Sequence, residues 1–307
     1  MKYVVSGYIG FNNFGDEAIA GSLAQKLKQE SAEKITFISS NPEETSAQHQ
    51  VDACGMLNFY SSLKEADVLI SGGGSLLQDV TSIKSLLYYL FVIYTALILG
   101  KKVIIYAQGI GPIKSKIGRM LTKIALKMAS EVSVRDTKSL ALLNGWNISA
   151  KLVKDPVLEY DLPCKNVKGV AGVQLRPFNG VTEEFLERLV STIVRYLHDK
   201  KFKVISLQDS ADLKLCEEFA QKLMAAGVQD AEVVHNQGVS ELIEELSNLE
   251  YLISMRFHSD IIGIKAGVKT LAINYDPKIK ALAEEYHLPL INFGDNDFSP
   301  AFEKLLG

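Results

Sequence analysis

Short apolar runs alternate with stretches of helical periodicity along the whole chain. In the first half, residues 3–6, 35–39, 68–71, 103–107, 132–135 and 152–154 are strand candidates, and several lack polar alternation. Runs of that kind predict strands buried on both faces of a parallel sheet. Between them, residues 16–30 place Ile19, Leu23 and Leu27 at spacing four on one helical face, and 117–129 and 138–143 also read as helices. The pattern restarts after Asp155-Pro156. Strands are expected at 169–174, 203–207, 232–234, 251–254, 270–273 and 290–292, with helical stripes Phe185/Leu189/Ile193/Leu197 and Leu215/Phe219/Leu223. Pro163 and the polar stretch 164–168 read as a linker. The expectation is an α/β protein of two Rossmann-like domains, residues 1–163 and 169–307, each a mainly parallel sheet covered by helices. Ligands of such sheets bind outside the carboxyl ends of the strands, so the cleft between two units is the default site.

A length of 307 residues agrees with two domains. The 33 Lys and Arg against 36 Asp and Glu give a net charge of −3, which offers no broad basic field for nucleic acid. Cys54, Cys164 and Cys216 lie far apart with no C-x-x-C, against a zinc knuckle or disulfide scaffold. The opening apolar run is too short for a signal peptide and reads as a strand, so a reducing cytoplasm is the expected compartment. Residues 85–100 are uncharged and bracketed by Lys84, Lys101 and Lys102. The run falls short of the roughly 20 residues that span a bilayer. It reads first as a helix buried against the sheet. The second reading is contact with a membrane surface, at its inner face, through exposed Tyr88, Tyr89, Phe91 and Tyr94.

Four groups of residues could carry chemistry. The first, SGYIGFNNFGDE (6–17), joins a strand to a helix but does not match a dinucleotide or P-loop fingerprint. Asp16 at the helix start is either an N-cap or an acid/base carboxylate. The second, SGGGSLLQD (71–79), is a glycine turn whose N–H groups can converge on an anion, or a plain strand-to-helix connection. The third, YAQGIGP (106–112), projects Gln108 from a strand end, or is a turn set by its Gly and Pro residues. The fourth is cationic: Arg135, Arg176, Arg256 with His258, and Lys278 each follow a strand. Any one is ordinary surface charge; together they would suit a small multiply charged anion. No zinc-protease or hydrolase-elbow motif occurs, and Glu183-Glu184 and Glu284-Glu285 read as solvated helix faces.

The ordered set SGYIGFNNFGDEA, SGGGSLLQD, YAQGIGP, SVRD, QLRP, MRFHS and YDPK resembles the polysaccharide pyruvyl transferase family over nearly the whole chain, most closely its bacterial cell-wall branch. The resemblance implies a fold like that of B-type glycosyltransferases and phosphoenolpyruvate as donor. The implied acceptor is a polyprenyl-diphosphate-linked amino sugar, converted to a cyclic ketal with release of phosphate. It assigns Arg256 and His258, Lys278 and Arg135 to phosphoenolpyruvate and Asp16 to acid/base work; Arg176 joins the cation set. Asp16 and His258 are then the catalytic candidates. Gly10, Asn13, Gly73, Gly74 and Gln108 are candidate acceptor or loop-backbone contacts. The first domain becomes the acceptor side and the second the phosphoenolpyruvate side. No cofactor and no metal is called for, since Arg and Lys can supply the charge. Asp260 departs from the small or apolar residue expected in the helix after His258, and a solvent-facing position would accommodate it. The alternative function is a nucleotide-sugar-dependent glycosyltransferase of cell-envelope polysaccharide synthesis; a third is a non-catalytic scaffold at a membrane surface.

Overall fold

The computed structural model describes residues 1–162 and 167–307. The chain divides into two compact units, Met1–Tyr160 and Asp161–Gly307. The linker expected at Pro163 and 164–168 falls mostly outside the described residues.

The first unit runs β1 (Lys2–Ser6), α1 (Phe14–Gln29), β2 (Lys34–Ser39), α2 (Pro42–His49), β3 (Asp52–Gly55), α3 (Phe59–Glu65), β4 (Val68–Gly72), α4 (Ile83–Ile98), β5 (Lys102–Gln108), α5 (Lys116–Met128), β6 (Glu131–Val134), α6 (Thr137–Asn144) and β7 (Lys151–Leu152). The strands form a seven-stranded sheet in the order β3-β2-β1-β4-β5-β6-β7, with every described pairing parallel. The chain reverses direction across the sheet between β1 and β4, the switch point where ligand loops splay apart. The crossover helices then fall on two faces of the sheet. Leu23 and Leu27 of α1 pack with Val5, Phe37 and Ile70, whereas Leu63 of α3, Leu90 and Ile93 of α4 and Leu126 of α5 share a core with Leu69, Val103 and Ile105.

Side-chain caps set several helix starts. Ser82 accepts from the Lys84 N–H at α4, Ser115 from Gly118 at α5, and Asp136 from Ser139 at α6. Three elements escape the apolar pattern. β3 is a mixed-polarity edge strand, α2 has no apolar stripe and starts on Pro42, and α3 spans seven residues. The strand expected at 152–154 is the two-residue, exposed β7.

The second unit runs β8 (Val170–Gln174), α7 (Glu183–Leu197), β9 (Lys201–Ile205), α8 (Asp209–Ala225), β10 (Ala231–Val234), α9 (Val239–Ser247), β11 (Tyr251–Ser254), α10 (Phe257–Ala266), β12 (Lys269–Asn274), α11 (Pro277–Glu285), β13 (Leu290–Asn292) and α12 (Ser299–Leu306). Its six-stranded parallel sheet follows the order β10-β9-β8-β11-β12-β13 and repeats the switch, here between β8 and β11. Ser254 lies beside Gln174 on one side and Ala272 on the other, which brings the ends of β8, β11 and β12 together. The strand expected at 203–207 begins two residues earlier.

Among the described residues, no helix is long and apolar enough to cross a membrane. One face of α4 is buried through Leu86, Leu90 and Ile93, in line with the first reading of that segment. The aromatic set of the second reading needs correction. Tyr89 is buried, and Tyr88 and Tyr94 are half-buried, donating to the carbonyls of Met56 and Leu121. Of the four, Phe91 is the one that lies exposed. Burial raises the Tyr88 phenol to about 12, with the neighbouring Cys54 adding to it.

Candidate active site

At the carboxyl edge of the first sheet, the loop after β1 is held from below. The Gly10 N–H donates to Glu17 Oε1 at 2.7 Å, and the other oxygen of this buried carboxylate meets His49 Nε2 at 3.0 Å. Gly10 has φ +81°, and a Cβ there would lie 2.2 Å from Ser39 Oγ, so its role is that of loop backbone. Asn13, not Asp16, is the N-cap of α1; its Oδ1 accepts from the Gly15 N–H at 3.2 Å. Asp16 therefore sits within the first helical turn, half-buried, three residues past the cap. That carboxylate faces the glycine turn: a Cβ on Gly74 would lie 2.8 Å from Asp16 Oδ1. Gly73, at φ +69°, passes so close to α1 that a Cβ would strike Ile19 Cγ2 at 2.0 Å.

In the glycine turn, one of the N–H groups is already engaged. The Gly73 N–H donates to the Tyr106 carbonyl, and the Gly74 carbonyl accepts from the Gly109 N–H, both at 2.9 Å. Close approach of backbone to helix is what these glycines provide. Gln108 also differs from the expectation of a projecting ligand contact. It is fully buried, and its Nε2 donates to the Ser71 carbonyl at 2.9 Å and to Ser71 Oγ at 2.8 Å, tying β5 to β4. Arg135, just past β6, is committed to Asp155 through a 2.7 Å ion pair. The aspartate of the same S-V-R-D run, Asp136, is the α6 cap.

Two aromatic rings stand at this edge that the sequence reading did not single out. Tyr8 and Phe11 stack with centroids 4.1 Å apart and planes 8° from parallel, each more than a third exposed. Burial, and then the negative charge of Asp16, raises the Tyr8 phenol, which places the platform in the field of that carboxylate.

In the second unit the cation set collects on adjacent strand ends. Arg176 follows β8, Arg256 and His258 follow β11, and Lys278 follows β12. The Arg256 N–H is accepted by Gln174 Oε1 at 2.9 Å, which couples the first two ends. The Arg256 guanidinium is gripped by Asp212 of α8: Nε donates at 3.1 Å and Nη2 at 2.8 Å to a carboxylate with no exposure. Its charge is thus met within the protein. Arg176 differs: it lies 5.3 Å over the Tyr275 ring, and its buried Nε finds no acceptor among the described residues. Lys278 is exposed, 5.7 Å from the Phe257 ring centroid, and makes no ion pair among the described residues. His258 packs edge-on against Phe257, with Nε2 buried. Arg256 is the N-cap of α10 but supplies no capping bond, so the first-turn N–H groups beside His258 have no cap from that side chain.

Asp260 corrects the solvent-facing expectation. It is wholly buried, and burial, opposed by the Ser254 hydroxyl, pushes its carboxyl well above the ordinary range. Burial in a helix core costs a carboxyl least in its neutral form. The sequence reading also missed Asp212 and Asp155, the partners of Arg256 and Arg135. Asp212 carries no motif beyond its place in the first turn of α8, and in the sequence Asp155 marks only the point where the pattern restarts. Among the described residues, no group of three or more His, Cys, Asp or Glu is placed to hold a metal ion.

Solved structures share this two-unit architecture at low identity. UDP-GlcNAc 2-epimerase from Methanocaldococcus jannaschii superposes with TM-score 0.66 at 12% identity, covering 100% of this chain and 93% of its own. The UDP-GlcNAc 2-epimerase from Neisseria meningitidis gives 0.62 at 11%, covering 100% and 91%. A glycosyltransferase from Rickettsia africae gives 0.60 at 12%, covering 99% and 87%. At such identities the likeness establishes the fold, that of B-type glycosyltransferases, and no activity. No curated protein sequence matches the chain. The family model described as polysaccharide pyruvyl transferase matches residues 13–277, from the cap of α1 to the start of α11, and the chain accordingly belongs to that family of enzymes.

Proposed function

We propose that the protein transfers the pyruvyl group of phosphoenolpyruvate onto a sugar of a polyprenyl-diphosphate-linked cell-wall precursor, closing a cyclic ketal and releasing phosphate. Family membership supports pyruvyl transfer onto polysaccharide. The donor is supported by one observation above others. Arg176 with its unmet Nε, the exposed Lys278, His258 and the first turn of α10 stand on the aligned ends of β8, β11 and β12. A small molecule bearing both a phosphate and a carboxylate suits that collection. The second unit is then the phosphoenolpyruvate side.

The first unit is assigned to the acceptor. Exposed, stacked Tyr8 and Phe11 offer an apolar platform to a pyranose face, with Asp16 beside it. In the reaction, a proton supplied from solvent adds to the methylene carbon, and positive charge develops at C2. A sugar hydroxyl, its proton taken by Asp16, forms the first C2–O bond. A second hydroxyl of the same sugar forms the other as the C2–O bond to phosphate breaks, and its proton replaces the one that His258 gives to the phosphate. His258 protonates or stabilises the departing phosphate, and the cations answer the charge that grows on it. Arg256, already bonded to Asp212, orients this edge as well as adding to its field.

The test is to incubate the protein with phosphoenolpyruvate and a synthetic polyprenyl-diphosphate disaccharide. The expected result is free phosphate together with the mass gain of one ketal. Nucleotide release from a nucleotide sugar, with phosphoenolpyruvate left intact, would instead establish the glycosyltransferase alternative.

A further inference from the structure

Residues 80–130 hold eight Lys or Arg and no Asp or Glu, in a chain whose net charge is −3. This segregation falls on α4, β5 and α5. The two helices lie on the same face of the first sheet, and Tyr94 of α4 donates to the Leu121 carbonyl of α5. A Cβ on Gly118 would lie 2.9 Å from Leu86 Cδ2, so the helices cross closely there.

The sides of these helices turned away from the core are apolar. On α4, Ile83, Leu87, Phe91 and Ile98 are 41, 43, 61 and 84% exposed. On α5, Ile117, Met120, Ile124 and Met128 are 66, 54, 42 and 55% exposed. Spacings of three, four and four put the α5 set on one stripe. One position before each stands a cation: Lys116, Arg119, Lys123 and Lys127. Lys123 lies over the Trp146 ring, and Lys102 is paired with Glu131. Lys84, Lys114, Lys116, Arg119 and Lys127 make no ion pair among the described residues. Asp79, just ahead of the stretch, is spent on the N–H groups of Lys114 and Ser115.

We infer that the α4–α5 face docks on an anionic bilayer surface, with its apolar stripes in the acyl boundary and its cations at the headgroups. An apolar stripe beside unpaired cations, with no carboxylate in the segment, is the pattern of an interfacial helix. A second copy of the chain fits poorly, because a two-fold interface would set this cationic face against itself. The proposal does not depend on the reaction assigned above, since vesicle binding requires no turnover.

Co-sedimentation of the full chain with phosphatidylcholine vesicles, and with vesicles of equal parts phosphatidylcholine and phosphatidylglycerol, tests it. Binding to the anionic vesicles should exceed binding to the neutral ones by about tenfold or more and fall with salt. Met120→Glu/Ile124→Glu should bring binding to background, and Lys116→Glu/Lys127→Glu should lower it by about tenfold or more. Both pairs are exposed, so the thermal melt should stay close to that of the parent. Three results would overturn the inference: a parent protein that stays in the supernatant with anionic vesicles, variants that sediment like the parent, or a parent dimer that Ile124→Glu dissociates without change in vesicle binding.

Discussion

The two sheets share one switch in strand order, yet their carboxyl edges are closed by different residues. In the first unit Gly73, Gly74 and Gly109 let loop backbone lie against α1 and against itself, and the edge presents Asp16 and two stacked rings. In the second unit the edge presents cations set against aromatic faces, Arg176 on Tyr275 and Lys278 on Phe257. The same architecture thus presents an acid and an apolar platform at the edge of one sheet and cations at the edge of the other. Topology fixes where side chains collect; residue type fixes what they bind.

If that division of labour holds, one substitution at each edge should stop turnover for different reasons. Asp16→Asn and His258→Gln are each expected to lower the rate of phosphate release by at least about 100-fold. Isothermal titration with phosphoenolpyruvate separates them: Asp16→Asn should bind the donor as the parent does, whereas His258→Gln should bind it more weakly. Equal donor affinity in both would remove the distinction between the edges.

The two arginines sharpen the comparison through stability. Arg256→Met leaves Asp212 as a charge with no exposure and no guanidinium, at a cost of about 3–5 kcal/mol in urea unfolding. Arg135→Met should cost less, about 1–3 kcal/mol, because Asp155 keeps the Val157 N–H. Adding Asp212→Leu to Arg256→Met should restore most of the loss. Arg256 variants consequently report on folding before they report on donor binding, and Lys278→Ala is the cleaner probe of the anion site.

At the acceptor edge, Tyr8→Ala removes half of the ring pair. A loss of about 1 kcal/mol of stacking should raise the acceptor KM by roughly five- to tenfold and leave the phosphoenolpyruvate KM unchanged. A rise in the donor KM alone would move the acceptor away from this platform.

The smallest effect concerns Asp260, whose carboxyl is raised by burial. Folding must take up a proton there once the pH exceeds the ordinary aspartate value near 3.9. The stability held below that value drains as the pH climbs toward the raised pKa. Asp260→Asn removes the dependence, so its melting temperature relative to the parent should improve from acidic to neutral pH. A difference that stays flat over that range would mean that Asp260 is ionised in the folded protein.

Apolar runs without alternation sufficed to announce two parallel α/β units, because strands covered on both faces leave that mark in any sequence. The ordered motifs sufficed to mark the loops at the switch points and the family. Where an element owes its existence to neighbours, the mark fades: β3 is an edge strand, and α2 has no apolar stripe. Exposure on α4 likewise depended on which side faced the sheet, so Phe91 emerged while Tyr89 was covered. Partnership was decided by tertiary structure alone. Arg256 and Asp212 stand 44 positions apart, Arg135 and Asp155 20 apart, and no local pattern couples them. Charge complementarity across a fold is a property of distances in space, and a chain read in one dimension carries the charges without the distances.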